Sequence, residues 1–140
     1  MAVHVLAVLA YKDGDRVTSG LLASSVNTNP VIIRRLLLAL QKAKLVETRK
    51  GAGLGSRLGR SPARINLGDV YRAVEEHECF VMTRRKPDHA CPVGQCIRGA
   101  LETVFTSAEE AIIRELSRTT LAHILDRVRA ACGVLPKRAR

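Results

Sequence analysis

The tetrapeptide Asn27-Thr28-Asn29-Pro30 stands between two stretches of helical periodicity and constrains the chain more than any other feature. Asn29 suits a helix N-cap, where its side-chain oxygen accepts from a backbone N–H left without an intrahelical partner. Pro30 suits the first helical position, because the N–H it lacks would have had no partner there. The helix predicted over 30–43 repeats apolar residues at Ile33, Leu36, Leu37 and Leu40, with Arg34, Arg35, Gln41 and Lys42 turned away from that stripe. Ahead of the turn, Thr18 or Ser19 caps a helix with Leu21, Leu22 and Val26 on its apolar side. A first apolar helix is predicted over 2–10, ended by the polar turn Lys12-Asp13-Gly14-Asp15. Two short helices joined by a polar turn, with a third in front, outline a helix-turn-helix.

The next residues add a β-hairpin. Leu45-Val46-Glu47-Thr48-Arg49 reads as a strand and Arg57-Leu58-Gly59 as a short returning one. Between them lies Lys50-Gly51-Ala52-Gly53-Leu54-Gly55-Ser56, a glycine-rich tip flanked by Arg49, Arg57 and Arg60. Glycines let a backbone turn tightly and approach a phosphate or a narrow groove, and the cations supply charge. A nucleotide-binding phosphate loop is the competing reading, but no Gly-Lys-Ser/Thr ending is present and the glycines do not lead into a helix. A cationic hairpin directly after a helix-turn-helix is a winged helix.

Beyond Pro62, Ile65-Asn66-Leu67-Gly68-Asp69-Val70 leads into a helix through Glu76. Residues 77–91 read as irregular, with the basic run Arg84-Arg85-Lys86 before Pro87. From Pro92 one helical face runs through Ile97, Leu101, Val104, Phe105, Ala108, Ile112 and Leu116, which predicts a single helix of about 24 residues. Ser107 with Glu110 is the alternative, a capping box opening a fresh helix. Thr119 or Thr120 caps a last helix carrying Leu121, Ile124, Leu125 and Val128. A helix this long in so small a chain is expected to bury part of its stripe against a second copy. The expected fold is therefore mainly α with a small β-wing. A winged helix-turn-helix DNA-binding domain spans 1–76; a cysteine-containing loop and a long dimerisation helix, the dimerisation and sensor region, span 77–140.

Charge separates the two halves. The chain of 140 residues carries 23 Lys and Arg against 13 Asp and Glu, a net +10. Residues 1–64 hold 11 basic and 3 acidic side chains, net +8, and residues 65–140 hold 12 and 10, net +2. A basic lobe beside a near-neutral one points to a polyanion partner for the first half. Two Tyr, two Phe and no Trp leave little to stack on single-stranded bases, so double-stranded DNA is the expected partner. No apolar run approaches the ~18–20 residues that span a bilayer, and the N-terminal apolar stretch has no basic region before it, so no membrane partner and a cytoplasmic location are expected.

In this order, helix-turn-helix, glycine-rich wing, Ile65-x-Leu67-x-Asp69-Val70 helix, cysteine loop with Cys91-Pro92-Val93-Gly94 and long C-terminal helix, the chain resembles the Rrf-two family of bacterial winged-helix transcription regulators, to which IscR, NsrR and CymR belong. The resemblance covers residues 1 to about 130, and is greatest to the YwnA-like members, which carry a single Cys-Pro-Val-Gly stretch. It implies a sequence-specific regulator, a repressor acting as a homodimer on a pseudo-palindromic operator, and not an enzyme. Cluster-holding relatives carry three cysteines at short, even spacings; here eleven residues separate Cys79 from Cys91 and four separate Cys91 from Cys96. The wing also has Leu54 where many relatives have a second adjacent glycine, and Lys50 where they have arginine.

On a winged helix, Thr28, Asn29, Val31, Ile32, Arg34 and Arg35 are placed to meet the major groove, and an arginine can read guanine bidentately. Arg49, Lys50 and Arg57 would grip the neighbouring minor groove or its backbone. Cys91 falls at the N-cap of the long helix, where the helix dipole favours an anion, so it is the expected redox-sensing thiol, with Cys96 or Cys79 resolving its sulfenate. No resident cofactor is expected. The alternative is an iron–sulfur cluster or metal held by Cys79, Cys91 and Cys96, with His77 or His89 as a fourth ligand. A small thiol oxidoreductase using Cys91 is disfavoured, because no Cys-x-x-Cys is present. A protein-binding winged helix is disfavoured by the arginines and lysines on the helix and wing.

Overall fold

The computed structural model describes residues 1–12, 14–49, 51, 54–75, 80 and 90–132. Three helices open the chain: α1 (Ala2–Tyr11), α2 (Ser19–Val26) and α3 (Pro30–Lys42). Helix α1 buries Ala2, Val5, Leu6 and Leu9, one face at helical spacing. Thr18 caps α2 by accepting from the Leu21 N–H at 3.3 Å. Asn27 ends α2 in the left-handed conformation, φ 56°, which Asn tolerates better than most residues. Asn29 then caps α3, accepting from the Val31 N–H at 2.8 Å, with Pro30 behind it as expected. Ile33, Leu37 and Leu40 are buried, while Leu36 is only half-buried. Leu21 departs from expectation: α2 presents Leu22 and Ala23 to the core, and Leu21 stays 48% exposed.

The wing follows as β1 (Val46–Arg49) and β2 (Gly55–Leu58), antiparallel, with Glu47 opposite Arg57 and Thr48 opposite Ser56. Leu45 is not in the strand, because its N–H closes the end of α3 on the Leu40 carbonyl at 2.9 Å. The second strand starts earlier than its sequence suggests. Ser56 exchanges both backbone hydrogen bonds with Val17, at 2.8 and 2.9 Å, so a one-residue third strand lies on the other side of β2. The Ser56 side chain, 1% exposed, is satisfied by the Thr48 hydroxyl at 2.9 Å. Gly55 sits at φ +133°, and a Cβ there would lie 3.0 Å from the Val17 carbonyl oxygen, so the turn into β2 demands glycine.

After a 3₁₀ turn at Pro62–Arg64 comes α4 (Leu67–Val74), which ends short of Glu76. Asn66 caps it reciprocally with Asp69: Oδ1 accepts from the Asp69 N–H at 2.8 Å, and Nδ2 donates to Oδ2 at 3.1 Å. Helix α5 (Pro92–Ser117) runs 26 residues without a break at Ser107, and α6 (Leu121–Cys132) closes the described chain. Thr120 and His123 cap α6 mutually, each bond 3.3 Å. Gly68 lets α4 lie against α5, since a Cβ there would run into the Ser117 Oγ and within 3.0 Å of the Ile113 carbonyl. Leu121 and Leu125 of α6 join the core made by α1, α3, Leu45, Val46 and Ile65. Each such buried aliphatic side chain is worth about 1.5–3 kcal/mol, so this one core holds the winged helix and α6 together.

Candidate nucleic-acid interface

Helix α3 turns a second stripe outward. Val31, Arg34, Arg35 and Leu38 follow the i, i+3, i+4, i+7 spacing of one helical face, opposite Ile33, Leu37 and Leu40. Val31 is 50% and Leu38 59% exposed. Arg34 and Arg35 are exposed, and neither makes an ion pair among the described residues. Ile32, 47% exposed, stands about 100° around the helix from Val31, on the flank of the stripe. Asn29 is exposed with its side-chain oxygen committed to the cap, and Thr28 is half-buried in the turn. The helix-face residues expected at DNA thus lie together, with Leu38 added to them.

The wing carries further positive charge. On its face away from the core lie Glu47 and Arg49 from β1, Arg57 from β2 and Arg16 from beside the Val17 bridge. Arg57 is paired with Glu47 at 2.8 Å, which leaves Arg49 as the expected wing cation with no ion pair among the described residues. Lys50 lies outside the described residues. Arg16, which the sequence reading did not single out, donates from Nη1 to the Gly55 carbonyl at 3.2 Å. Loss of hydration, then the neighbouring charges of Arg49 and Arg57, hold its pKa below the ordinary guanidinium value, with Glu47 opposing them. Three arginines around one carboxylate leave this face with a net positive charge. A cleft of about 520 Å³ runs between the end of α3 and this face, with Arg16, Gln41, Lys44 and Arg49 in its walls.

Cys91 occupies the N-cap of α5 as expected, its Sγ accepting from the Gly94 N–H at 3.3 Å. Cys96 is exposed one turn on. Cys79, His77, His89 and the basic run Arg84–Lys86 lie outside the described residues.

Residues 1–127 match the Rrf2 family, described as iron-dependent transcriptional regulators. The chain belongs to the Rrf2 family. YwnA of Bacillus subtilis (strain 168) is 36% identical over 126 residues, which span 90% of this chain and 92% of that protein. Among solved structures, IscR of T. potens is 25% identical at a TM-score of 0.66, covering 94% of this chain and 85% of that one. A solved chain from Lactobacillus plantarum is 26% identical at a TM-score of 0.76, covering 94% and 87%. As an Rrf2 member the chain is a DNA-binding transcriptional regulator and not an enzyme. Among the described residues, no helix is long and apolar enough to cross a membrane.

The Rrf2 description raises whether the cysteines fit an iron centre. Among the described residues, no three His, Cys, Asp or Glu side chains are placed to share a metal. Cys91 and Cys96 stand five positions apart at the start of α5, about 7.5 Å in helical rise. Of the cysteines named for such a centre, the described residues contain Cys91 and Cys96.

Proposed function

We propose that this Rrf2 regulator is a cytoplasmic homodimeric repressor that binds a pseudo-palindromic operator in double-stranded DNA and answers to oxidation at Cys91, without a resident cluster. The observation that carries the dimer is α5. It is 26 residues long, none of them buried, and Val93, Ile97, Leu101 and Val104 fall on one face at 68, 42, 36 and 60% exposure. Phe80 stacks on Phe105 at a ring-centroid distance of 4.9 Å, and α4 covers the C-terminal end, but the rest of the stripe is bare. A second copy of the same helix covers it with matching chemistry. Two winged helices then present two copies of the Val31–Leu38 stripe, which calls for half-sites one or more helical turns apart. A dimer seated there represses by blocking access to the duplex.

Cys91 supplies the signal input in this reading. A peroxide oxidises its thiolate to a sulfenic acid and is reduced to an alcohol or water; a second thiol then displaces water and forms a disulfide. For Cys96 to be that thiol, the first turn of α5 must open, because the helical rise between them exceeds the span of a disulfide. Cys79 is the other candidate. Oxidation through Cys96 therefore couples to unwinding at the start of the dimerisation helix.

The test is selection of bound duplexes from a random pool, with sedimentation of the free and bound protein and iron analysis of anaerobically purified material. The reading expects an enriched inverted repeat bound by two chains, no stoichiometric iron, and weaker binding after peroxide in the parent but not in Cys91→Ser. A monomer on a single half-site, or one cluster per chain, would overturn the corresponding part.

A further inference from the structure

We infer that Val31 and Leu38 are specificity residues that read the 5-methyl groups of thymine, at two T·A pairs about three base pairs apart in each half-site. The inference rests on the DNA-binding reading above and names the base chemistry its recognition helix selects. Both side chains lie on the outward stripe with Arg34 and Arg35 between them, 50% and 59% exposed, on a helix whose inward residues Ile33, Leu37 and Leu40 are at 0, 5 and 0%. An apolar protein partner laid on that stripe would bury two guanidinium groups without counter-charges, at heavy cost. A major groove answers both chemistries at once: guanine O6 and N7, or phosphate, for the arginines and the thymine methyl for the aliphatic groups.

The composition of α3 narrows the choice further. Between Val31 and Leu40 it has no Asn, Gln, Asp or Glu, so the side chains that read adenine N6/N7 or accept from cytosine N4 are missing from this run. Guanine and the thymine methyl are the base edges left for this run to recognise, with Gln41 the next polar side chain on the stripe, one turn beyond Leu38. Val31 and Leu38 are seven positions apart, about 10.5 Å along the helix, and the base-pair rise of about 3.4 Å turns that into three steps when the helix lies along the groove.

The experiment replaces each thymine of the selected duplex in turn by deoxyuridine, which removes the methyl group and nothing else. Two positions per half-site, about three base pairs apart, should each weaken binding about fourfold, the worth of one buried methyl. One effect should vanish in Val31→Ala and the other in Leu38→Ala, with the helical circular dichroism of both variants unchanged because neither side chain is in the core. Uridine duplexes bound as tightly as thymine ones, at every position and with the selected site still bound, would overturn the inference and leave the regulator reading standing. Failure to bind any duplex would overturn both.

Discussion

Arg57 donates two hydrogen bonds to one carboxylate oxygen of Glu47, from Nε at 3.0 Å and from Nη2 at 2.8 Å. This cross-strand pair pins the wing, and it also ties up one of the three cations on that face. Arg16 and Arg49 remain, close enough for their charges and that of Arg57 to oppose one another. The arrangement favours an incoming anion over the empty state.

Replacing Glu47 by Gln is therefore expected to tighten duplex binding several-fold at low salt and to loosen the wing. The Glu47 carboxyl is held below its ordinary value first by the hydrogen bonds from Arg57 and then by its charge; desolvation opposes them, and the charges of Arg16 and Arg49 add less. A carboxyl depressed in the folded state adds stability above its unfolded pKa and loses it as pH falls through the folded one. Urea titrations at pH 7 and across the acid range should show the parent losing more stability on acidification than Glu47→Gln. Parallel acid limbs would remove this role.

Arg16→Gln should reduce the slope of log affinity against log salt by about 0.9 for each copy that reaches a phosphate, with sequence preference unchanged. Its stability should change little, since relief from the charges of Arg49 and Arg57 is set against the lost hydrogen bond to the Gly55 carbonyl. A changed base preference at any operator position would mean that Arg16 reads bases instead.

Gly68→Ala should destabilise the fold by about 1–3 kcal/mol, because the added methyl meets Ser117 Oγ and the Ile113 carbonyl where α4 crosses α5. Ser117→Ala in the same chain removes the nearest atom and should recover part of that loss. Chemical denaturation of the single and double variants measures both.

Leu101→Asp or Val104→Asp should raise the dimer dissociation constant about thirtyfold or more, the worth of one central interface side chain, while leaving the winged helix folded. Sedimentation equilibrium reads the first and circular dichroism the second. Unchanged association would place the partner surface elsewhere.

The local parts of this fold are legible in the sequence because each rests on one or two neighbouring residues. Asn29 and Pro30 announce the start of α3, and Asn66 and Asp69 lie where α4 begins. The unbroken face from Ile97 to Leu116 gives α5 across Ser107. Non-local partners are not legible. A one-residue strand such as Val17 has no alternation to reveal it, so Arg16 goes unmarked and Ser56 reads as part of the glycine-rich tip, although Val17 and Ser56 pair. Leu38 hides in the run Leu36-Leu37-Leu38, where only the packing of α3 decides which leucine faces out. Leu21 fails for the same reason.

The salt dependence of affinity for the selected duplex tests the central claim most directly, because it counts the phosphates met by the α3 stripe and the wing. Three cations per chain reaching phosphate in a dimer predict a log–log slope of about −5. A slope near zero, with affinity carried by apolar contact alone, would contradict the account.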